Sequence, residues 1–382
     1  MNKYVLKING LYDRLLSAAI ARNERKKLYR FINNHKEWFT DKPKGSAEWK
    51  EKWSELGSTD EVFYRWYSNF IGEDLNILPD DLMHNVIEPI LNPMRSRGLY
   101  ADKNMFDKLL KPYFTEFITP KTIFRCINGG LYDKDYYLIE EQKAFSILNE
   151  FDLTFVVAKP TVDSSSGHNI LFYDNDNGCF LNRKTKEKLS IESLKKTLGD
   201  NFIVQEGLVQ SAEMSQFNPT SINTLRVSTY KSVTSEKPIF LNGDLRIGKK
   251  GSETDNVHSG GCRVGINPDG SLKKVCSDQL GNRFDRFNGI DFGQQDFVIP
   301  NYENVKFFAQ NVSACLPHQR ILALDIMLDC NNQPKLVEYN NYAFTVSAFQ
   351  MTVGTVFGDY TDEVIDYCKA HLKEATRIYL TY

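Results

Sequence analysis

Cysteine is sparse and unpaired in this sequence. Its seven residues, Cys126, Cys179, Cys262, Cys276, Cys315, Cys330 and Cys368, stand apart without a Cys-x-x-Cys. An odd, scattered set argues against a disulfide framework or a thiolate zinc site and fits a reducing cytoplasm. Charge of one sign is lacking too: the formal net charge is −2 over 382 residues, so no global field draws the chain to nucleic acid or an anionic membrane. The local basic runs, Arg22 to Lys27 and Arg183 to Lys188, read as solvated faces or loops. No apolar run nears the roughly 20 residues that span a bilayer, and Met1-Asn2-Lys3-Tyr4-Val5-Leu6-Lys7 leads into no signal-length stretch. The expectation is a soluble, cytoplasmic protein that does not bind nucleic acid; nothing bears on its oligomeric state. Gly-x-x-x-x-Gly-Lys-Ser/Thr and Gly-x-Gly-x-x-Gly are both absent, which disfavours P-loop and dinucleotide sites. No Ser-His-Asp or Cys-His arrangement, repeat or low-complexity tract is visible.

What is present describes a folded globular chain, with 41% hydrophobic and 13% aromatic residues. Its length can bury a large core and points to two or three subdomains. Residues 1–100 read as a helical region, with three-to-four periodicity over Leu11–Phe39 and Asp60–Phe70 and a linker at Lys42-Pro43-Lys44-Gly45-Ser46. Trp49, Trp53, Phe63, Tyr64, Trp66, Tyr67 and Phe70 are expected to pack this region against the rest. Strands and helices then mix, with a first part over 101–210 and a second over 211–382. A short helix is expected from Met105 to near Pro112, strands near 201–210, 222–230 and 239–247, and a closing helix around Tyr360–Tyr379.

Near the C-terminus, Ala323-Leu324-Asp325-Ile326-Met327-Leu328-Asp329 and Lys335-Leu336-Val337-Glu338-Tyr339-Asn340 alternate apolar and polar residues as strands do. Cys330-Asn331-Asn332-Gln333-Pro334 between them has turn composition, so an antiparallel hairpin is expected. It would bring Asp325, Glu338 and Asn340 together, with Glu338 and Asn340 on one face. Two carboxylates and an amide oxygen suit Mg²⁺, a hard ion that shares oxygen ligands with phosphates. A merely solvated strand face would carry the same letters.

Upstream, Phe155-Val156-Val157-Ala158-Lys159-Pro160 reads as an apolar strand ending in a cation, because Pro160 cannot donate to a ladder. A polar loop follows over residues 161–169, containing Ser165, Ser166 and Gly167. A strand-end cation beside hydroxyls and free backbone N–H groups is a phosphate-binding arrangement, although an ordinary surface turn reads the same. Residues Phe202 to Val209 turn from apolar to polar and back, as either an edge strand or a segment passing between two lobes would. Asn223 and Arg226 stand at a strand entrance, three apart and so on different faces. Asp244-Leu245-Arg246-Ile247-Gly248 precedes Asp255, Asn256 and His258, and then Gly260-Gly261, whose glycines permit close backbone approach to a ligand. His258 has no visible partner and reads as an orienting or packing residue ahead of an acid or base.

Taken in order, the Lys-bearing strand, the small-residue loop, Gln205-Glu206 and Asp325…Glu338-Tyr339-Asn340 resemble the ATP-grasp ligases. The 13-residue step from Asp325 to Glu338 is similar to the hairpin of the D-alanine–D-alanine ligase branch. The nearer resemblance is to the sugar-transfer-associated ATP-grasp family of bacterial capsule and surface-polysaccharide genes. It is carried by Ser221-Ile222-Asn223-Thr224-Leu225-Arg226-Val227, Asp255-Asn256-Val257-His258-Ser259-Gly260-Gly261 and Leu336-Val337-Glu338-Tyr339-Asn340, over roughly residues 100–358.

The resemblance implies an α+β fold, two lobes clasping ATP, with an N-terminal helical region. It implies that Lys159 and Lys103 contact ATP phosphates and that residues 161–169, with Ser165, Ser166 and Gly167, form a lid. Gln205, Glu206, Gly207, Leu208 and Val209 would hold adenine and ribose. Asp325, Glu338 and Asn340 would bind one or two Mg²⁺, Arg226 and either Arg246 or Lys249 would neutralise the transferred phosphate, and Asn256 would be a further catalytic residue. The activity implied is an ATP-dependent carboxylate–amine ligase joining an amino acid or amine to a sugar or uronic acid. A phosphotransferase, or an ATP-binding scaffold of a polysaccharide-assembly complex, is the alternative. Two departures stand out: the Arg that relatives often carry two residues before the first metal Asp is Ala323 here, and Asn341-Tyr342-Ala343-Phe344 replaces the usual small-Pro-Gly ending on the acceptor side.

Overall fold

The N-terminal region is helical because its apolar residues recur at helical spacing and polar side chains cap the ends. In a computed structural model, which describes residues 3–39, 42–114, 118–162 and 169–376, helices run over Lys3–Asn34, Ser46–Ser54 and Glu61–Ile71. Asp60 caps the third, accepting from the Val62 N–H at 2.9 Å. Trp49, Trp53, Phe63, Tyr64, Trp66 and Tyr67 are all buried, with Phe70 packed beside them. Burial of large rings obliges their polar atoms to find partners. The Trp49 and Trp53 indoles donate to the carbonyls of Ile77 (2.7 Å) and Leu75 (3.1 Å). These aromatics form one core with Tyr230, Ile321, Ala323, Phe344 and Phe349 from the far half of the chain.

Two antiparallel sheets follow. The first contains β1 (Thr122–Ile127), β2 (Gly130–Asp133), β3 (Phe155–Pro160), β4 (Leu171–Asp176), β5 (Cys179–Asn182) and β6 (Phe202–Glu206), in the order β2-β1-β6-β3-β4-β5. One face is covered by the helices Glu141–Glu150 and Ile191–Leu198, which bury Ala144, Leu148, Leu194 and Leu198. The second contains β7 (Leu225–Lys231), β8 (Pro238–Ile247), β9 (Cys262–Ile266), β10 (Leu272–Ser277) and β11 (Arg283–Phe284), then a separate small ribbon, β12 (Arg286–Phe287) with β13 (Ile290–Asp291). Its remaining strands, β14 (Ile321–Leu328) and β15 (Pro334–Asn340), close the order β11-β10-β9-β8-β7-β14-β15. Helix Tyr302–Ala314 packs on it. β14 lies between β7 and β15 and is buried along its whole length, so its polar letters are not a solvated face.

Element limits differ from the sequence expectation where tertiary contacts intervene. Between the sheets, β6 ends at Glu206, and the chain crosses at Gly207–Gln210 rather than continuing as strand to 210. Ser211 then donates to the Leu328 carbonyl (3.0 Å) as it joins the second sheet. The closing helix is Thr361–Ala370 and passes into a 3₁₀ turn at Leu372–Glu374; residues 377–382, with the rest of that expected helix, lie outside the described residues.

Gly265 on β9 shows how closely this sheet is covered: a Cβ there would lie 2.2 Å from the Thr352 carbonyl oxygen, a backbone atom that cannot swing aside. Gly354, two residues along that covering segment, has open space around it and an ordinary φ. Gly265→Ala is expected to destabilise by about 1–3 kcal/mol, and Gly354→Ala to stay within about 0.5 kcal/mol of the parent; chemical denaturation midpoints check the pair.

Candidate active site

The hairpin forms as its spacing suggests, with one irregularity that matters. Asp325 on β14 stands directly across from Glu338 on β15, and Ala323 across from Asn340. Beyond that the register shifts, so that Ile326 faces Leu336 and Val337 is an extra residue on β15. Regular alternation would put Leu336 on the same face as Glu338. The bulge instead lets Leu336 enter the core, fully buried, while Glu338 and Asn340 line a cavity of about 890 Å³ between the two sheets. The loop is tied by Asp329, whose carboxylate accepts from the N–H groups of Asn331 and Gln333 (2.9 Å each).

The cavity face of the second sheet carries a row of cross-strand neighbours, Glu338–Asp325–Arg226–Asp244–Gly265, one residue from each of five strands. Asp325 is 6% exposed and clasped by two guanidiniums, Arg226 (2.5 and 2.9 Å) and Arg246 (3.1 Å). Burial pushes its carboxyl up, but the two arginines outweigh burial and hold it below the ordinary carboxylate range. Arg246 also reaches Asp255 (3.2 Å), which in turn accepts from the Thr224 N–H (3.1 Å) and hydroxyl. Asp244 is fully buried beside Arg263 (3.3 Å), and burial pushes it up to about 6 against the pull of Arg263, Arg226 and Arg246. Arg226 and Arg246 both line the cavity, already engaged with Asp325.

The first sheet forms the opposite wall. Lys159 near the end of β3 lines the cavity, and the Lys103 ammonium is 3.0 Å from Glu338. Although part of Lys159 opens to the cleft, burial and then the neighbouring Lys103 push it down to about 8, against the attraction of Glu338 and Asp107. Lys103 is placed by the 3₁₀ turn Lys103–Met105, capped by Asp102 and bolted to the first sheet. Its N–H donates to the Thr161 carbonyl (3.0 Å), and the buried Arg125 guanidinium donates to the Asn104 carbonyl and to Asp107 (2.7 Å). At the cleft edge, Gln205 donates to the Pro120 carbonyl (3.1 Å) and Glu206 accepts from the Lys121 N–H (2.9 Å). Gly207 lies under the Phe155 ring, where a Cβ would come within 2.2 Å; Leu208 and Val209 line the cavity beside it.

Other sequence readings take a different form. Asn256 is buried at the cavity wall and caps the turn Val257–Ser259, accepting from the His258 N–H (2.9 Å). Gly261 serves close approach of the chain to itself, since a Cβ there would meet the Ile247 carbonyl at 2.6 Å; no ligand is needed to explain it. Asn223 is internal, donating to the Met214 and Asn218 carbonyls (2.9 and 3.0 Å). Arg183, read as part of a solvated run, lines the cavity, lies over the Phe155 and Phe172 rings, grips Asp174 (2.7 Å) and reaches Glu253 of the other lobe (3.6 Å). Neither Arg183 nor Phe172 carries a local sequence signal of a site; only strand pairing brings them there. Ser165, Ser166 and Gly167 lie outside the described residues.

Among solved structures, the chain is similar to the biotin carboxylase domain of 2-oxoglutarate carboxylase from Hydrogenobacter thermophilus, with 11% identity and a TM-score of 0.41 over 77% of this chain and 49% of that one. It is also similar to D-alanine–D-alanine ligase from Bacillus anthracis (15% identity, TM-score 0.39, 74% of this chain and 72% of that one). A third likeness is to the ATP-grasp ligase PsnB (14% identity, TM-score 0.36, 73% and 61%). The chain spans about half the length of the carboxylase domain and under two thirds of PsnB. No curated protein matches it. The family described as sugar-transfer associated ATP-grasp matches residues 83–364, about three quarters of the sequence and the whole of both sheets. The two-lobed α+β architecture is therefore the ATP-grasp fold, and the chain belongs to the sugar-transfer associated ATP-grasp family.

Proposed function

We propose that this protein is an ATP-dependent carboxylate–amine ligase that joins an amino acid or amine to a sugar-borne carboxylate, such as a uronic acid, in bacterial surface-polysaccharide assembly. One observation carries the reading: two lysines from one lobe, Lys103 and Lys159, face Glu338 of the other across a single cleft that Asp325 also lines. Phosphoryl transfer needs positioning and charge neutralisation more than covalent help from the protein. The cleft supplies both, with cations on two walls and carboxylates between them. The Phe155 ring, seated against Gly207, forms with Leu208 and Val209 an apolar part of the cavity wall suited to adenine.

The donors Asp325, Glu338 and Asn340 are all oxygen, which fits Mg²⁺. Asn340 donates its amide nitrogen to the Ala323 carbonyl (3.4 Å) and keeps its oxygen for a ligand. When bound, Mg²⁺ would neutralise phosphate oxygens here. The protein's own groups do the rest: Lys103 and Lys159 draw in the phosphates, Arg226 and Arg246 orient Asp325 and face the transferred group, and the cleft walls shield the acylphosphate formed when a substrate carboxylate oxygen takes the γ-phosphoryl from ATP and ADP leaves. An amine then displaces phosphate from that acylphosphate, with no protein nucleophile required.

Mass spectrometry of reactions containing ATP, Mg²⁺ and a panel of uronic sugars and amines is expected to show a condensed product with loss of water and formation of ADP. A stable phosphoester instead would assign the site to a phosphotransferase. Glu338→Gln is expected to lower ATP turnover about a hundredfold or more, the scale of a lost group that stabilises transition-state charge; unchanged turnover across all acceptors would end the catalytic reading. Lys159 loses its proton as pH rises through about 8, so kcat/KM for ATP should be level at lower pH. Above pH 8 it should fall toward tenfold per unit, and Lys159→Arg, charged throughout this range, should flatten the profile.

A further inference from the structure

The last part of the helical region meets the turn that follows the hairpin. Glu88, 2% exposed, accepts from the Phe344 N–H at 2.8 Å. Asn92, also buried, donates to the carbonyls of Asn341 (3.0 Å) and Ile321 (2.7 Å) and accepts from the Arg320 and Ile321 N–H groups (2.8 and 3.1 Å). Ala343 is held at φ 55°, in the left-handed region that a residue with a side chain adopts only at some cost. These contacts set the shape of the turn from behind and leave its front on the cavity.

On that front, Arg97 of the helix Met94–Ala101 lays its guanidinium on the Tyr342 ring, 3.4 Å from the centroid, and both residues line the cavity. Stacking uses the face of the guanidinium and leaves its in-plane N–H groups for a ligand. Among the described residues, no carboxylate or hydrogen-bond acceptor pairs with Arg97. Beside Tyr342, Asn341 lines the same cavity; it is 6% exposed, and its buried amide nitrogen has no hydrogen-bond partner. Unpaired buried donors are uncommon and call for an acceptor. The acidic groups deeper in the cleft are already matched, Asp325 by Arg226 and Arg246 and Glu338 by Lys103. A positive charge and an amide donor therefore remain uncompensated where the turn lines the cavity.

We propose that Arg97, stacked on Tyr342, and Asn341 form a subsite for the anionic group of an acidic sugar, so that the helical region takes part in choosing the substrate. The inference rests on the ligase reading for the identity of the cleft, while the subsite itself is read from these residues. A carboxylate and a phosphate share the chemistry that a guanidinium and an amide recognise. The probes are therefore D-glucuronate, glucose 1-phosphate and neutral glucose, titrated with and without Mg²⁺ and ADP and followed by ligand-observed NMR.

The wild-type protein is expected to bind at least one charged sugar about tenfold or more tighter than glucose, the scale of charge-assisted hydrogen bonds. Whichever of glucuronate and glucose 1-phosphate binds better identifies the group. Arg97→Ala, and Arg97→Met which keeps an apolar stem on Tyr342, should lose the preference while ADP binding is unchanged; Arg97→Lys should keep part of it. No preference for charge in the wild type, or a preference that survives both neutral substitutions, would overturn the subsite. Failure of ADP to bind the wild type would instead overturn the ligase reading, and the titrations without nucleotide would still decide the subsite.

Discussion

A buried carboxylate held by two guanidiniums organises this protein. Asp325 on β14 is held by Arg226 of the adjacent β7 and by Arg246 reaching across from β8, and Arg246 ties these strands to the segment carrying Asp255. Four carboxylates, Asp244, Asp255, Asp325 and Glu338, face four cations, Arg226, Arg246, Arg263 and Lys103. Such an arrangement is poor value as stabilisation, because desolvating each charge costs several kcal/mol that pairing only partly returns. Its merit is rigidity. Charges fixed before a substrate arrives need no reorganisation when negative charge develops in the cleft. The sheet around them is closely covered, down to the backbone contact at Gly265.

Much of this was legible in the letters, for identifiable reasons. The hairpin was readable because a turn-rich segment between two alternating stretches leaves one plausible pairing, and Asp325 and Glu338 do fall opposite each other. Lys159 was readable because Pro160 marks a strand end beside a cation. The bulge at Val337 was not, because alternation of letters does not reveal where a register slips. Arg183 was misread because a local run of charge says nothing about strand pairing, which turns this residue to the cleft within reach of Glu253, 70 positions away. Gly260-Gly261 was read as permitting close backbone approach; at Gly261 the approaching backbone is the protein's own, the Ile247 carbonyl.

The helical region had no functional motif, yet its far end is bound into the cleft by Glu88, Asn92 and Arg97. None of these stands out in sequence, since each works through a partner some 230 to 260 positions later. Its aromatic core is shared with Ile321 and Ala323 of β14 and with Phe344 of the turn after β15. Region and cleft therefore pack against one another.

The extra residue at Val337 divides β15 into two parts with opposite phase. Before it, Leu336 answers to the packing of the core; after it, Glu338 and Asn340 answer to the cleft. Without that slip, one strand would have to satisfy both demands with a single alternation, and a change made for one would disturb the other. The bulge works as a joint between two modules of sequence. The demands of the cleft on Glu338 and Asn340 are thereby separated from those of the core on Leu336.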